Sequence, residues 1–83
     1  MTSESEISFA SQAHFLEGWA AHQKGELARA EEKYRRTLEL QPRHFDALHL
    51  LGLIAVQKSA FAEAVCWIAK AVEVAPEIGR AHV

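Results

Sequence analysis

The sequence predicts an all-α protein made of repeated helical hairpins, and three observations predict it. Only 4 Gly and 2 Pro occur in 83 residues, while Ala and Leu are plentiful and β-branched runs are short, so helix is the favoured local state. Apolar residues recur at helical spacing. One fixed shift, the step that carries Gly18 onto Gly52, also superposes Ala21 on Ala55, Ala30 on Ala64, Tyr34 on Ile68, Leu38 on Val72, Leu40 on Val74 and Pro42 on Pro76. The same step joins Ala13, Ala47 and Ala81, so the final "GRAHV" reads as the opening turn of a third unit.

Each element follows in order. Residues 1–10 read as an N-terminal extension or the start of a helix, 11–44 as repeat 1, 45–78 as repeat 2 and 79–83 as an incomplete third. Ser11 to Lys24 carries Phe15, Leu16, Trp19 and Ala20 at helical spacing, and Gly25 supplies the backbone freedom of a helix end. Leu27 to Leu40 forms the second helix. Its Glu31/Arg35 and Glu32/Arg36 pairs stand one helical turn apart in the favourable order and predict a solvated ion-pair face. Pro42 ends that helix, because it lacks an N–H and pushes Gln41 out of the α region. Pro76 is expected to end the fourth helix, Ala62 to Val74, in the same way. The stretch Phe45 to Val56 is interrupted by Asp46 and His49, too short and too polar for a bilayer span of about 20 residues, and reads as a core helix. Gly18, Ala21 and Ala30 are expected where two helices cross closely, and Thr37 and Ala71 at a second tight crossing.

Composition and charge exclude several functions. Nine Lys+Arg against 11 Asp+Glu give a net charge of −2 without a basic block, which argues against nucleic acid. One cysteine, Cys66, excludes an intramolecular disulfide and points to a reducing, cytoplasmic setting. The polar, acidic start "MTSESEISFA" is unlike an export signal. His14, His22, His44, His49 and His82 form no H-x-x-x-H pair and stand at no ligand spacing to Cys66, so no metal or other cofactor is expected. Cys66, mid-helix beside Trp67, reads as a structural thiol and not a nucleophile. With no phosphate loop and no nucleophile turn, the chain is expected to be non-catalytic.

The spaced residues carry a resemblance. Leu48, Leu51, Gly52, Ala64, Ala71 and Pro76 in the second unit, and Gly18, Ala30, Tyr34 and Pro42 in the first, resemble the tetratricopeptide repeat, a helix-turn-helix unit whose period matches this step. The first unit departs from the motif at His14, Glu17, Ala21 and Thr37, the second at Ala55 and Ile68. The resemblance implies a short right-handed solenoid of antiparallel hairpins that binds protein on its concave face. It further implies that Gln12, Phe15, Leu16, Trp19, His22, Gln23, Asp46, His49, Leu50, Leu53, Val56 and Gln57 line that groove. Co-chaperones of the family hold acidic tails with Lys, Arg and Asn at such positions, and glycosyltransferases of the family line them with asparagine; here Phe15, Trp19, His49, Leu50 and Leu53 stand instead. An apolar or amphipathic peptide or helix is the expected partner, with no nucleic acid and no membrane insertion. The resemblance leaves a second possibility, the N-terminal repeat segment of a larger bacterial enzyme similar to the O-linked N-acetylglucosamine transferases. On the last helix Val65, Ile68 and Val72 form one stripe flanked by Trp67, and these four are expected to make a self-association edge in a homo-oligomer.

Overall fold

A computed structural model describes residues 4–80, with side chains placed for residues 4–74. Four helices follow one another: α1 (Glu4–Gln23), α2 (Leu27–Leu40), α3 (Phe45–Gln57) and α4 (Phe61–Arg80). Consecutive helices pack as two hairpins, α1 on α2 and α3 on α4, and the hairpins stack through α2 and α3. Among the described residues there is no strand.

Both hairpin turns obey one rule. In the first, Glu26 N–H donates to the Ala21 carbonyl at 2.9 Å and Gly25 N–H to the His22 carbonyl at 3.0 Å. In the second, Ala60 N–H reaches the Ala55 carbonyl at 2.8 Å and Ser59 N–H the Val56 carbonyl at 2.9 Å. This is the Schellman pattern, which sets the residue after the helix in the left-handed region. Gly25 takes φ +79°, and Ser59, its counterpart one repeat later, takes φ +60° without glycine's freedom.

The small residues lie at the crossings. Ala30 and Ala47 are fully buried, and a Cβ on Gly18 would stand 2.8 Å from the Tyr34 ring. One core cluster gathers Ala21, Ala30, Tyr34, Ala47, Leu51 and Ile54 from three helices; a second gathers Leu48, Ala71 and Val74. Leu38 and Trp67 touch both and join them. Thr37 and Ala71 are buried, as their crossing requires. Thr37 Oγ1 donates within reach of the Lys33 and Ser11 carbonyls, at 3.1 and 3.4 Å, and the buried Ser11 Oγ lies 2.8 Å from Gln41 Oε1, so neither hydroxyl is orphaned.

Of the two readings of residues 1–10, the structure has the start of a helix: α1 begins at Glu4, with Glu4 and Glu6 in its first turn complementing the helix dipole. Three expectations are corrected. Helix α4 does not stop at Pro76 and continues to Arg80, so Gly79 and Arg80 belong to the fourth helix; residues 81–83 of the expected third unit lie outside the described residues. A proline removes one hydrogen bond, and at Pro42 the chain turns because a capped helix follows: His44 Nδ1 accepts the Ala47 N–H at 3.1 Å and starts α3. Cys66 is exposed, so it is not a packed structural thiol.

The third correction concerns charge. Glu31 and Arg35 are paired at 2.8 Å, but they do not form a merely solvated face. Glu31 also holds Lys58 at 2.8 Å, and Arg35 reaches Glu63 at 3.1 Å, so the pair bridges α2 to the second hairpin. Trp67 Nε1 donates to the same Glu63 carboxylate at 3.4 Å, with the Arg35 guanidinium 5.4 Å from the indole. The Lys58 hydrogen bond, aided by Arg35, holds the Glu31 carboxyl below its ordinary value. Glu32 and Arg36, at 3.5 Å, remain a solvated pair.

Candidate functional site

The residues expected to line a groove come from α1 and α3, and the hairpin stacking sets these two helices side by side. Two adjoining hollows lie between them. One, of about 410 Å³, is lined by Phe15, Leu16, Trp19, Asp46, His49 and Leu50. The other, of about 250 Å³, is lined by Trp19, His22, Gln23, Leu50 and Leu53. Trp19 and Leu50 belong to both, so the hollows form one furrow.

The furrow's floor and walls differ in burial. Phe15 and Leu50 pack against the core cluster and form the floor, with the Phe15 ring 5.6 Å from Tyr34 and 4.9 Å from His44. Leu16, Trp19 and Leu53 are 43–53% exposed and form the walls. His49 stacks on Phe45 at 5.9 Å and 11°. At one end His22 Nε2 meets Gln57 Oε1 at 3.1 Å, and its Nδ1 meets the Tyr34 hydroxyl at 3.4 Å. With the Gln57 carbonyl accepting, the His22 proton sits on Nε2 and the Tyr34 hydroxyl donates to Nδ1, a chain that ties α2, α1 and α3 together. Burial pushes the Tyr34 hydroxyl up to about 12.

Of the expected groove residues, Gln12, Val56 and Gln57 do not line either hollow. Gln12 is exposed on α1, and Gln57 is occupied with His22. Trp67, expected at the self-association edge, instead turns toward α2 and lines a separate hollow with Arg35, Leu38, Leu48 and Lys70. Val65, Ile68 and Val72 are exposed on α4, joined by Phe61, which the stripe read from Val65 onward left out. Phe61 was legible: it is the counterpart of Leu27 one repeat later. Among the described residues no group of three His, Cys, Asp or Glu side chains is placed to hold a metal ion. No helix among them is long and apolar enough to cross a membrane.

The repeat period, the two hairpins and the shared turn geometry agree with a sequence-profile match to the tetratricopeptide repeat over residues 4–42 and 15–77. The chain belongs to the tetratricopeptide repeat family. Tetratricopeptide repeats generally mediate protein–protein interaction and are typically non-catalytic scaffolds. The furrow between α1 and α3 is formed by the first helix of each tetratricopeptide hairpin. No curated protein matches the chain.

Proposed function

We propose that this tetratricopeptide module holds an apolar or amphipathic helix in the furrow between α1 and α3, without catalysing a reaction. The observation that carries the reading is the furrow's lining: Phe15, Leu16, Trp19, Leu50 and Leu53 form its apolar surface, His22, Gln23 and His49 add polar atoms at its margins, and Asp46 is the one carboxylate. A partner helix with apolar residues at i, i+3, i+4 and i+7 would seat on Trp19 and Leu53, with a Lys or Arg at the Asp46 end. Because one charge lines the furrow, affinity would respond weakly to salt.

Selection from a library of helical peptides tests this. The reading expects apolar amphipathic sequences to be enriched over acidic tails. Trp19→Ala should weaken a selected peptide by about 2 kcal/mol, roughly thirtyfold in Kd, as for an interface anchor. Leu53→Asp should abolish binding. Unchanged affinity in both variants, or enrichment of acidic tails, would remove the furrow as the binding site.

A further inference from the structure

The repeat period compares the two outer edges of the stack with the junction inside it. On α2, Leu27, Tyr34 and Leu38 pack into the cluster that holds Ala47, Leu51 and Ile54 of α3, and Glu31 bonds Lys58 beyond its end. Their counterparts on α4 are Phe61, Ile68, Val72 and Val65. These are 63%, 42%, 60% and 67% exposed, so α4 presents uncovered the face that α2 buries. Two charged residues of the junction on α2, Glu31 and Arg35, become Val65 and Ala69 on α4, side chains that cannot form ion pairs.

The opposite edge is built differently. Leu51 and Trp67, packed at the junction, correspond to Glu17 and Lys33 on the outer side of the first hairpin. Glu17 Oε2 and Lys33 Nζ pair there at 2.9 Å, and the Lys33 contact holds the Glu17 carboxyl below its ordinary value. Stacking a second copy head-to-tail would press this ion pair against Val65 and Ile68, and the desolvation would outweigh the gain. The apolar edge matches only itself.

We propose that two copies of this chain pair α4 against α4 across a twofold axis, with Phe61, Val65, Ile68 and Val72 at the contact. The exposed parts of these side chains amount to on the order of 400 Å² per copy, or about 800 Å² for the pair, close to the apolar share of a standard interface. Exposed Ala62 and Ala69 flank the stripe and let the helices approach. This contact is separate from the furrow, which stays open in the pair.

Sedimentation of the full chain over about a thousandfold concentration range reads the mass directly. The pair predicts a rise from 9.3 kDa towards twice that value and no further. Val65→Glu, at the most exposed position of the stripe, should raise the dissociation constant at least about tenfold with helicity unchanged. Trp19→Ala should leave the dissociation constant where it was. A constant mass of 9.3 kDa, growth past the dimer, or association that survives Val65→Glu and disappears in Trp19→Ala would each overturn the proposal.

Discussion

Adding one methyl group to Gly18 asks how rigid the first hairpin is. A Cβ there would lie 2.8 and 2.9 Å from Cε1 and Cδ1 of Tyr34 and 3.1 Å from Cβ of Lys33. Tyr34 is fully buried, with Phe15 beside its ring and its hydroxyl on His22, so the ring has nowhere to go and α1 must move off α2. Overpacking of this kind costs about 1–3 kcal/mol, while exchanging Gly for Ala within a helix returns about 1 kcal/mol. Because the Tyr34 ring cannot yield, the upper part of that range, about 2–3 kcal/mol, applies, and Gly18→Ala should destabilise by about 1–2 kcal/mol net, a fall in Tm of roughly 4–16 °C for a chain of this size. Gly52→Ala meets Ile68 Cγ1 at 2.8 Å, but Ile68 stands at the open edge and can turn away. That loss should be about 0–1 kcal/mol. Urea unfolding followed by circular dichroism measures both. The reasoning fails if Gly18→Ala equals or exceeds the parent in stability, or if Gly52→Ala is the more damaging of the two.

Three further outcomes follow from single contacts. Ser59→Gly should stabilise by about 0.5–1 kcal/mol by removing a side chain from the left-handed region, and Gly25→Ala should destabilise by about 1 kcal/mol; thermal melts check both, and equal effects would mean the turns are not equivalent. Glu31, whose carboxyl is held below 4.5 chiefly by the Lys58 hydrogen bond, contributes stability that is present above that value and lost as pH falls through its folded value. The Glu31→Gln variant should be less stable than the parent at neutral pH and should lose less on acidification, and parallel acid curves for the two proteins would contradict this. Tyr34, the one tyrosine, has its folded value raised to about 12, so its contribution to stability is level below pH 10 and declines as pH rises from 10 towards 12. Tyrosinate absorbance should be missing near pH 10 while helicity persists, and half-titration there in the folded protein would refute the burial.

The elements most readable in the sequence were those bracketed on both sides by a local rule. Helix α2 runs Leu27–Leu40 as expected, because Gly25 closes one turn and Pro42 opens the next. For helix α1 the sequence left residues 1–10 open between an extension and a helix start, since the period located the repeat unit at Ser11; no breaker separates that residue from Glu4, where the helix begins. Pro76 misled because a proline removes one hydrogen bond from a helix without by itself ending it, and α4 runs on through it to Arg80. For the furrow, the period alone was not enough: the resemblance to the tetratricopeptide repeat set Phe15, Trp19, Leu50 and Leu53 on one face, and these four line the adjoining hollows between α1 and α3. The Glu31 hub was not legible in that way. Its i,i+4 pattern specifies Arg35 alone, whereas Lys58 and Glu63 arrive only once the hairpins stack.

The central claim, that the furrow is the binding surface, is tested most directly by the two indole N–H resonances of the chain. Trp19 stands in the furrow wall and Trp67 beneath α2, so each reports on a different side of the stack. Titration of the isotope-labelled protein with an apolar helical peptide taken from the selection should shift the Trp19 indole resonance saturably, along with backbone amides of Leu50 and Leu53, and leave Trp67 in place. Movement of Trp67 or of the Val65 and Val72 amides with Trp19 unmoved would contradict the account.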